Sequence, residues 1–251
     1  AAPTVTFTGA PTSAVYGTSF TVSATTNAST TAVITAAPAT VCTVSGNTVT
    51  MVNGTGTCTV TAKWAADDVY KAATATQKTT AAKANSGLAW ATPAPITYGT
   101  ALSATQLNAT ANVAGKYVYS PASGKVLTVG TQTLSVKFTP TAASDYTAET
   151  TTVQLVVNQA ATTTTITASS LNPSTVGKAV KFSFTVAPGK PTGSVTINAS
   201  TGQSCTGTLA SGKGTCSITF TASGTLTMTA TYGGDANNEG STSAGFTQTV
   251  N

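Results

Sequence analysis

Two short sequence patterns each recur three times along this 251-residue chain, and this repetition limits the possible folds more than any other feature. The first pattern is an aromatic or β-branched residue followed by glycine, at Tyr16-Gly17, Tyr98-Gly99 and Val176-Gly177. Each copy follows a proline-containing segment, and the first and third copies precede segments that alternate between polar and apolar residues. Repetition at this spacing predicts several similar domains in series instead of one large domain.

The second pattern closes each repeat. A strand that ends in an aromatic residue leads into an acidic turn and then into a threonine-rich final strand. We place the acidic residues Asp67, Asp145 and Asp235 in the same turn of successive repeats. The connections between repeats are short, which predicts an elongated array. The two patterns together predict three domains: residues 1–83, 84–159 and 160–251.

The composition favours β-structure along the whole chain. Apolar residues make up 40% of the sequence and charged residues only 7%, so disorder driven by charge is not expected. Threonine and valine are abundant, and their β-branched side chains suit pleated, half-buried surfaces. Short alternating segments separated by turn residues are typical of a β-sandwich. The sequence therefore predicts an all-β fold.

Several motifs resemble those of bacterial immunoglobulin-like repeat domains of large surface or secreted proteins. The most specific is Tyr-Gly-Gly-Asp-Ala-Asn at 232–237, followed by Leu-Asn-Pro-Ser-Thr-Val-Gly at 171–177 and Ile-Thr-Tyr-Gly-Thr at 96–100. The resemblance covers essentially the whole chain and implies three tandem immunoglobulin-like β-sandwich domains in an extracellular setting. It implies no single activity, because such domains serve as spacers, stalks and adhesive tips.

The four cysteines form two close pairs, Cys42 with Cys58 and Cys205 with Cys216. Neither pair has the spacing of a metal site, so we expect two disulfides and an oxidising compartment. The second pair flanks a turn near Ala210. We expect antiparallel pairing across this turn to place its two cysteines opposite one another.

The residue types present argue against catalysis and against cofactors. The chain has no histidine, and its 11 basic residues are all lysine. Histidine-activated nucleophiles and arginine clamps are therefore excluded. The six acidic residues could in principle form a carboxylate pair. We expect the acids of the closing turns to bond their own backbone instead, so no enzyme activity is predicted.

Several candidate binding sites compete with plain structural interpretations. Residues 235–240 resemble the first half of a calcium loop, but Phe246 stands where the twelfth-position glutamate belongs, so we expect a simple turn. Asp67 and Asp68 are a second, weaker candidate. A sugar-stacking platform competes with ordinary core packing for the larger aromatic side chains: Tyr16, Trp64, Trp90, Tyr98 and Tyr146. Alternating threonines at 225–229 suggest an ice-binding face, but an outward strand face explains them better.

The leading functional hypothesis is a non-catalytic extracellular structural protein, a rigid spacer, stalk or fibre-forming subunit on a bacterial surface. The alternative is an adhesin-type module that binds a glycan or a protein. Other copies of the chain, joined head to tail, are candidate partners. Nucleic acid is not expected because the lysines are scattered, and membrane insertion is not expected because no long apolar run is present.

Overall fold

The computed structural model describes residues 1–251 and consists of 21 β-strands joined by loops, with no helix. The all-β prediction is therefore confirmed, and no helix is available to cross a membrane. The chain divides into two compact units. Unit 1 comprises residues 1–91, 108–120 and 135–152, and unit 2 comprises residues 92–107, 121–134 and 153–251. The predicted boundaries of three domains stay predictions, since the middle third of the sequence contributes to both units.

The first nine strands all lie in unit 1. They are β1 (Val5–Thr8), β2 (Ser13–Val15), β3 (Ser19–Thr21), β4 (Ser23–Thr26), β5 (Val33–Ala37), β6 (Cys42–Ser45), β7 (Thr48–Met51), β8 (Thr57–Trp64) and β9 (Ala73–Ala82). One sheet has the order β2–β9–β8–β5, a second has the order β3–β7–β6, and β1 pairs with β4. Strand β8 alternates strictly, because its inward residues are buried while its threonines and Lys63 face outward.

The next four strands are β10 (Ile96–Thr97), β11 (Gly115–Ser120), β12 (Gly130–Pro140) and β13 (Glu149–Asn158). They form one sheet in the order β10–β13–β12–β11. Within unit 1, β11 pairs antiparallel with residues 135–140 of β12. Within unit 2, β10 runs parallel to residues 157–158 of β13.

The last eight strands lie in unit 2. They are β14 (Thr163–Ser169), β15 (Ala179–Ala187), β16 (Ser194–Ala199), β17 (Ser204–Thr208), β18 (Lys213–Thr219), β19 (Gly224–Tyr232), β20 (Ser241–Thr242) and β21 (Phe246–Val250). The sheet β14–β15–β18 accompanies a five-stranded sheet, β17–β16–β19, in which β20 and β21 both pair with β19. Their common core contains Phe182, Phe184, Ile197, Phe220 and Met228.

Both disulfides connect different sheets. Cys42 on β6 bonds to Cys58 on β8, and Cys205 on β17 bonds to Cys216 on β18. The expectation that hairpin pairing sets Cys205 opposite Cys216 is wrong, because β17 pairs with β16 whereas β18 pairs with β15. The turn near Ala210 carries the chain from one sheet to the other, so each disulfide fastens a pair of sheets.

Two glycines allow close packing beside the second disulfide. Gly207 lies on β17, and a Cβ atom there would stand 2.9 Å from Cζ of Phe184 and even closer to the carbonyl oxygen of Thr215. Gly214 on β18 has the same constraint, since its Cβ would lie 2.5 Å from Cε2 of Phe184. At this edge the backbones of the two sheets and the Phe184 ring leave no room for a side chain.

Candidate functional site at the closing loops

The closing loops are the segments that follow β8, β12 and β19, at residues 65–72, 141–148 and 233–240. In the first of them, Oδ1 of Asp67 accepts hydrogen bonds from the backbone amides of Val69 at 2.9 Å and Tyr70 at 2.6 Å. Its Oδ2 accepts bonds from the backbone amide and the hydroxyl of Ser29, at 2.8 and 2.9 Å. Asp67 thus organises its own loop and also binds a second loop of unit 1.

Asp235 repeats this arrangement in unit 2. Its Oδ1 accepts bonds from the amides of Asn237 at 2.8 Å and Asn238 at 2.9 Å, and also from the side chain of Asn238 at 2.8 Å. Its Oδ2 accepts bonds from the amide and hydroxyl of Thr192 at 2.8 and 3.0 Å. Asp67 and Asp235 therefore occupy equivalent positions, with Ser29 and Thr192 as equivalent partners.

These hydrogen bonds favour the charged form of both carboxyl groups. The backbone amides of Ser29, Tyr70 and Val69 hold the pKa of Asp67 well below its usual range. Desolvation raises the pKa of Asp235, but the bonds from Thr192 and Asn237 outweigh it, so this pKa also lies well below its usual range. Both side chains are ionised at any pH near neutrality.

Stability should therefore fall in acid. A carboxyl group whose pKa is lower in the folded state contributes stability that is fully present above its unfolded pKa, about 4, and is lost as the pH falls through the folded pKa. We expect the urea midpoint to decrease steadily below about pH 4. The variant carrying Asp67→Asn and Asp235→Asn should have a lower midpoint at pH 5 and a flatter profile below it. Equal acid sensitivity of the two proteins would contradict this assignment.

Asp145, the acidic residue of the second closing loop, makes a different hydrogen bond. It lies in this loop, as predicted, but two residues later than Asp67 and Asp235 lie in theirs, where the other loops have Val69 and Asn237. The expectation that its side chain bonds its own backbone is wrong. Its Oδ1 accepts a hydrogen bond from the amide of Gly54 at 3.2 Å, in the loop between β7 and β8. Asn237 makes the equivalent bond in unit 2, where its Oδ1 accepts from the amide of Val129 at 3.3 Å.

A pair of backbone hydrogen bonds ties an alanine to each closing loop. The amide of Ala84 donates to Asp145 at 2.8 Å and its carbonyl accepts from Thr147 at 2.9 Å. Ala160 makes the equivalent bonds with Asn237 and Glu239, at 2.9 and 2.8 Å. Ala1 does the same, because its amino group donates to Val69 and its carbonyl accepts from Lys71, each at 2.8 Å. The repeat visible in the sequence is thus also a repeat of hydrogen bonds.

The calcium interpretation finds no support in this arrangement. Both oxygens of Asp67 and of Asp235 already accept N–H or O–H donors, so a cation would have to displace them. No group of three or more acidic, histidine or cysteine side chains is close enough to hold a metal ion.

We therefore expect calcium to leave the melting temperature unchanged. A ligand that binds only the native state raises its stability. Since we expect no calcium to bind, adding millimolar calcium or a chelator should shift none of the calorimetric transitions. A rise of several degrees on adding calcium would show that a closing loop binds the ion.

The aromatic residues singled out in the sequence do not form one platform. Trp64 is fully buried in the core of unit 1. Trp90 packs edge-on against Tyr119, with ring centroids 5.3 Å apart, and its Nε1 donates to Asn108. Tyr117, two residues before Tyr119 on the same face of β11, packs against buried Phe138. Trp90 and its half-buried neighbours thus pack against one another and against the core.

Tyr16 and Tyr98 have different surroundings although they share a position in the repeat. Each tyrosine comes directly after a short parallel strand. The amide of Tyr16 donates to the carbonyl of Ala82, and the amide of Tyr98 donates to the carbonyl of Asn158. In unit 1 the Tyr16 ring packs edge-on against Tyr146, with centroids 5.4 Å apart. Tyr98 instead lines an open groove of about 390 Å³.

Sequence reasoning missed the partners of the closing loops. The groove is also lined by Pro188, Gly189, Lys190 and Thr192, which belong to the loop between β15 and β16. Ser29 and Thr192 carry no local pattern that marks them, because they lie 38 and 43 residues away from the aspartates they bind. Only an alignment of the three repeats, in which Ser29 and Thr192 take equivalent positions, could have indicated these partners.

Part of the chain matches a known family model. Residues 166–251 match the family model described as bacterial Ig-like domain (group 3). No curated protein matches the sequence.

Three solved structures show likeness over nearly the whole chain. FdeC, an Escherichia coli adhesin, is 17% identical over 99% of this chain and 96% of its own, with a TM-score of 0.31. A tetra-tandem repeat from the extending region of a large adhesion protein is 17% identical over 100% of this chain and 74% of its own, with a TM-score of 0.42. Three titin Ig domains are 12% identical over 99% and 97%, with a TM-score of 0.40. The predicted resemblance to bacterial Ig-like domains is confirmed by the family match for residues 166–251, within a chain whose strands all pair in β-sheets.

Proposed function

We propose that this chain is a non-catalytic, extracellular structural protein that serves as a spacer or stalk on a bacterial surface. The observation that supports the proposal is that the predicted connections between domains are held by the same hydrogen bonds at both places. At Ala84 and again at Ala160, two backbone hydrogen bonds fasten the connection to a closing loop. A side chain of the same loop, Asp145 or Asn237, also accepts a bond from the amide of Gly54 or Val129. A connection fixed in this way resists bending, which a spacer needs and a flexible linker does not provide.

The two disulfides support an extracellular setting. Disulfides persist in oxidising compartments and are rare in reducing ones. Cys42–Cys58 and Cys205–Cys216 leave no free cysteine in the chain. Each also holds two sheets together, which suits a protein exposed to proteases and mechanical load.

Spin-label distance measurements test the spacer role. Labels on cysteines introduced at exposed Thr35 and Val118, both in unit 1, span the Ala84 connection. We expect a narrow distance distribution. Asp145→Ala should broaden it, and a Gly-Ser insertion after Lys83 provides the flexible control. A distribution in the unmodified protein as broad as that of the insertion variant would overturn the proposal.

A fibre-forming subunit is the second candidate. Val69 holds the position of Asp145 and Asn237, and it is 64% exposed. Val176 holds the position of Tyr16 and Tyr98, and it is 44% exposed. Inside the units Tyr16, Asp145 and Asn237 each contact a different third of the sequence, so exposed apolar residues at the equivalent positions favour head-to-tail docking of a second copy. Light scattering and electron microscopy at high concentration decide this, since a strictly monomeric mass without filaments would exclude it.

A further inference from the structure

An open groove lies beside Tyr98 in unit 2. Its volume of about 390 Å³ lies within the range of small-molecule sites, roughly 300–1,000 Å³. One wall is the half-buried ring of Tyr98, which makes no contact with another aromatic ring. The loop from Pro188 to Thr192 and the closing loop that contains Asp235 also line the groove.

Comparison with unit 1 explains why the groove is open. The backbone hydrogen bonds around Ala84 and Ala160 are the same, so the two connections share one framework. In unit 1 this framework presents Tyr146, whose ring packs edge-on against the ring of Tyr16. In unit 2 the equivalent residue is Asn238, and its side chain turns inward to bind Asp235. The place of an aromatic ring against Tyr98 is therefore vacant.

The polar groups around this place are available to a ligand. Lys190 is exposed and forms no ion pair. The side chain of Asn237 accepts one hydrogen bond through Oδ1, from Val129, while its Nδ2 donors have no partner in the protein. Asp235 is not available, since its two oxygens accept five hydrogen bonds. The groove thus combines one aromatic face with unused hydrogen-bond donors.

We propose that this groove binds one sugar ring of a surface or matrix polysaccharide. The ring of Tyr98 packs against the apolar C–H face of the sugar, where unit 1 has the ring of Tyr146. Lys190 and Asn237 donate hydrogen bonds to hydroxyl or carboxylate oxygens at the sugar edge. A purely apolar ligand would bury these donors without partners, which costs binding energy, so a polyhydroxylated ring fits this lining better. This binding activity is additional to the spacer role and does not depend on it.

Saturation-transfer NMR on the full chain tests the proposal with two probes, an oligomer of uronic acids and a neutral β-linked glucose oligomer. We expect saturation to reach the C–H protons of at least one probe at about 1 mM, the weak affinity of a single small site. Tyr98→Ala should lower the affinity at least about tenfold, whereas Tyr98→Phe should retain it, because the ring supplies the stacking. Lys190→Gln should weaken the uronate more than the neutral probe.

The matched control is Tyr16→Ala, which removes the equivalent tyrosine of unit 1 and should leave binding unchanged. Calorimetry of each variant verifies that the fold is retained. No saturation transfer from either probe, or equal transfer in the wild type and Tyr98→Ala, would overturn the proposal. Binding lost equally in Tyr16→Ala and Tyr98→Ala would overturn it too. A broad spin-label distribution across Ala84 bears only on the spacer role, so the two ideas fail separately.

Discussion

Replacing Cys42 and Cys58 together by alanine is expected to lower the free energy of unfolding of the surrounding core by about 3–4 kcal/mol. The disulfide joins residues 16 positions apart. In the chain-entropy model, closing a loop of this length raises the free energy of the unfolded state by about 3 kcal/mol. Both cysteines are completely buried, so their removal also leaves a small cavity. The disulfide is therefore a major contributor to the stability of the core of unit 1.

Trp64 provides a local measurement of this effect, because it is buried in the same core cluster as Cys42 and Cys58. Trp90 is the second tryptophan, so urea unfolding followed by fluorescence in a Trp90→Phe background reports Trp64 alone. The control variant lacks Cys205 and Cys216, which pack against a different core cluster, and its Trp64 midpoint should be unchanged. A larger shift of that midpoint in the control than in the Cys42 and Cys58 variant would refute the prediction.

Gly207→Ala is expected to destabilise the core of unit 2 that contains Phe184 by about 2–3 kcal/mol. The added methyl group would meet the Phe184 ring and the backbone of Thr215, and backbone cannot rotate away as a flexible side chain can. Since Phe184 is buried among the core residues, movement of its ring disturbs its neighbours too. We expect lower thermal stability and faster amide exchange in β15, β17 and β18.

Gly233→Ala is the matched control. A Cβ atom at this position would have no neighbour within 4 Å, the φ of Gly233 is not in the left-handed region, and the residue is exposed. The change should stay within about 0.5 kcal/mol. Peptide-resolved hydrogen exchange and calorimetry of both variants give the comparison. Similar stabilities for Gly207→Ala and Gly233→Ala would show that the two sheets separate easily at this edge.

The sequence by itself determined the class of fold and the periodic features of the array. Strand alternation depends on a two-residue period, which is local, so the all-β prediction is confirmed, as is the alternation after Val176-Gly177, where β15 buries every second residue. The glycine of the first pattern is equally local. Gly17, Gly99 and Gly177 all have positive φ, between 78° and 93°, a conformation that favours glycine and therefore marks the turn in each repeat.

Only the tertiary structure decided what these local features contact. Spacing could not reveal that Cys205 and Cys216 lie on different sheets, because the turn near Ala210 looks like a hairpin in sequence. It also could not distinguish Asp145, which binds Gly54, from Asp235, which binds Thr192, because those partners are 91 and 43 residues away. The groove at Tyr98 is open because no aromatic ring packs against Tyr98. An absence of packing is a property of the folded chain, and no single residue type signals it.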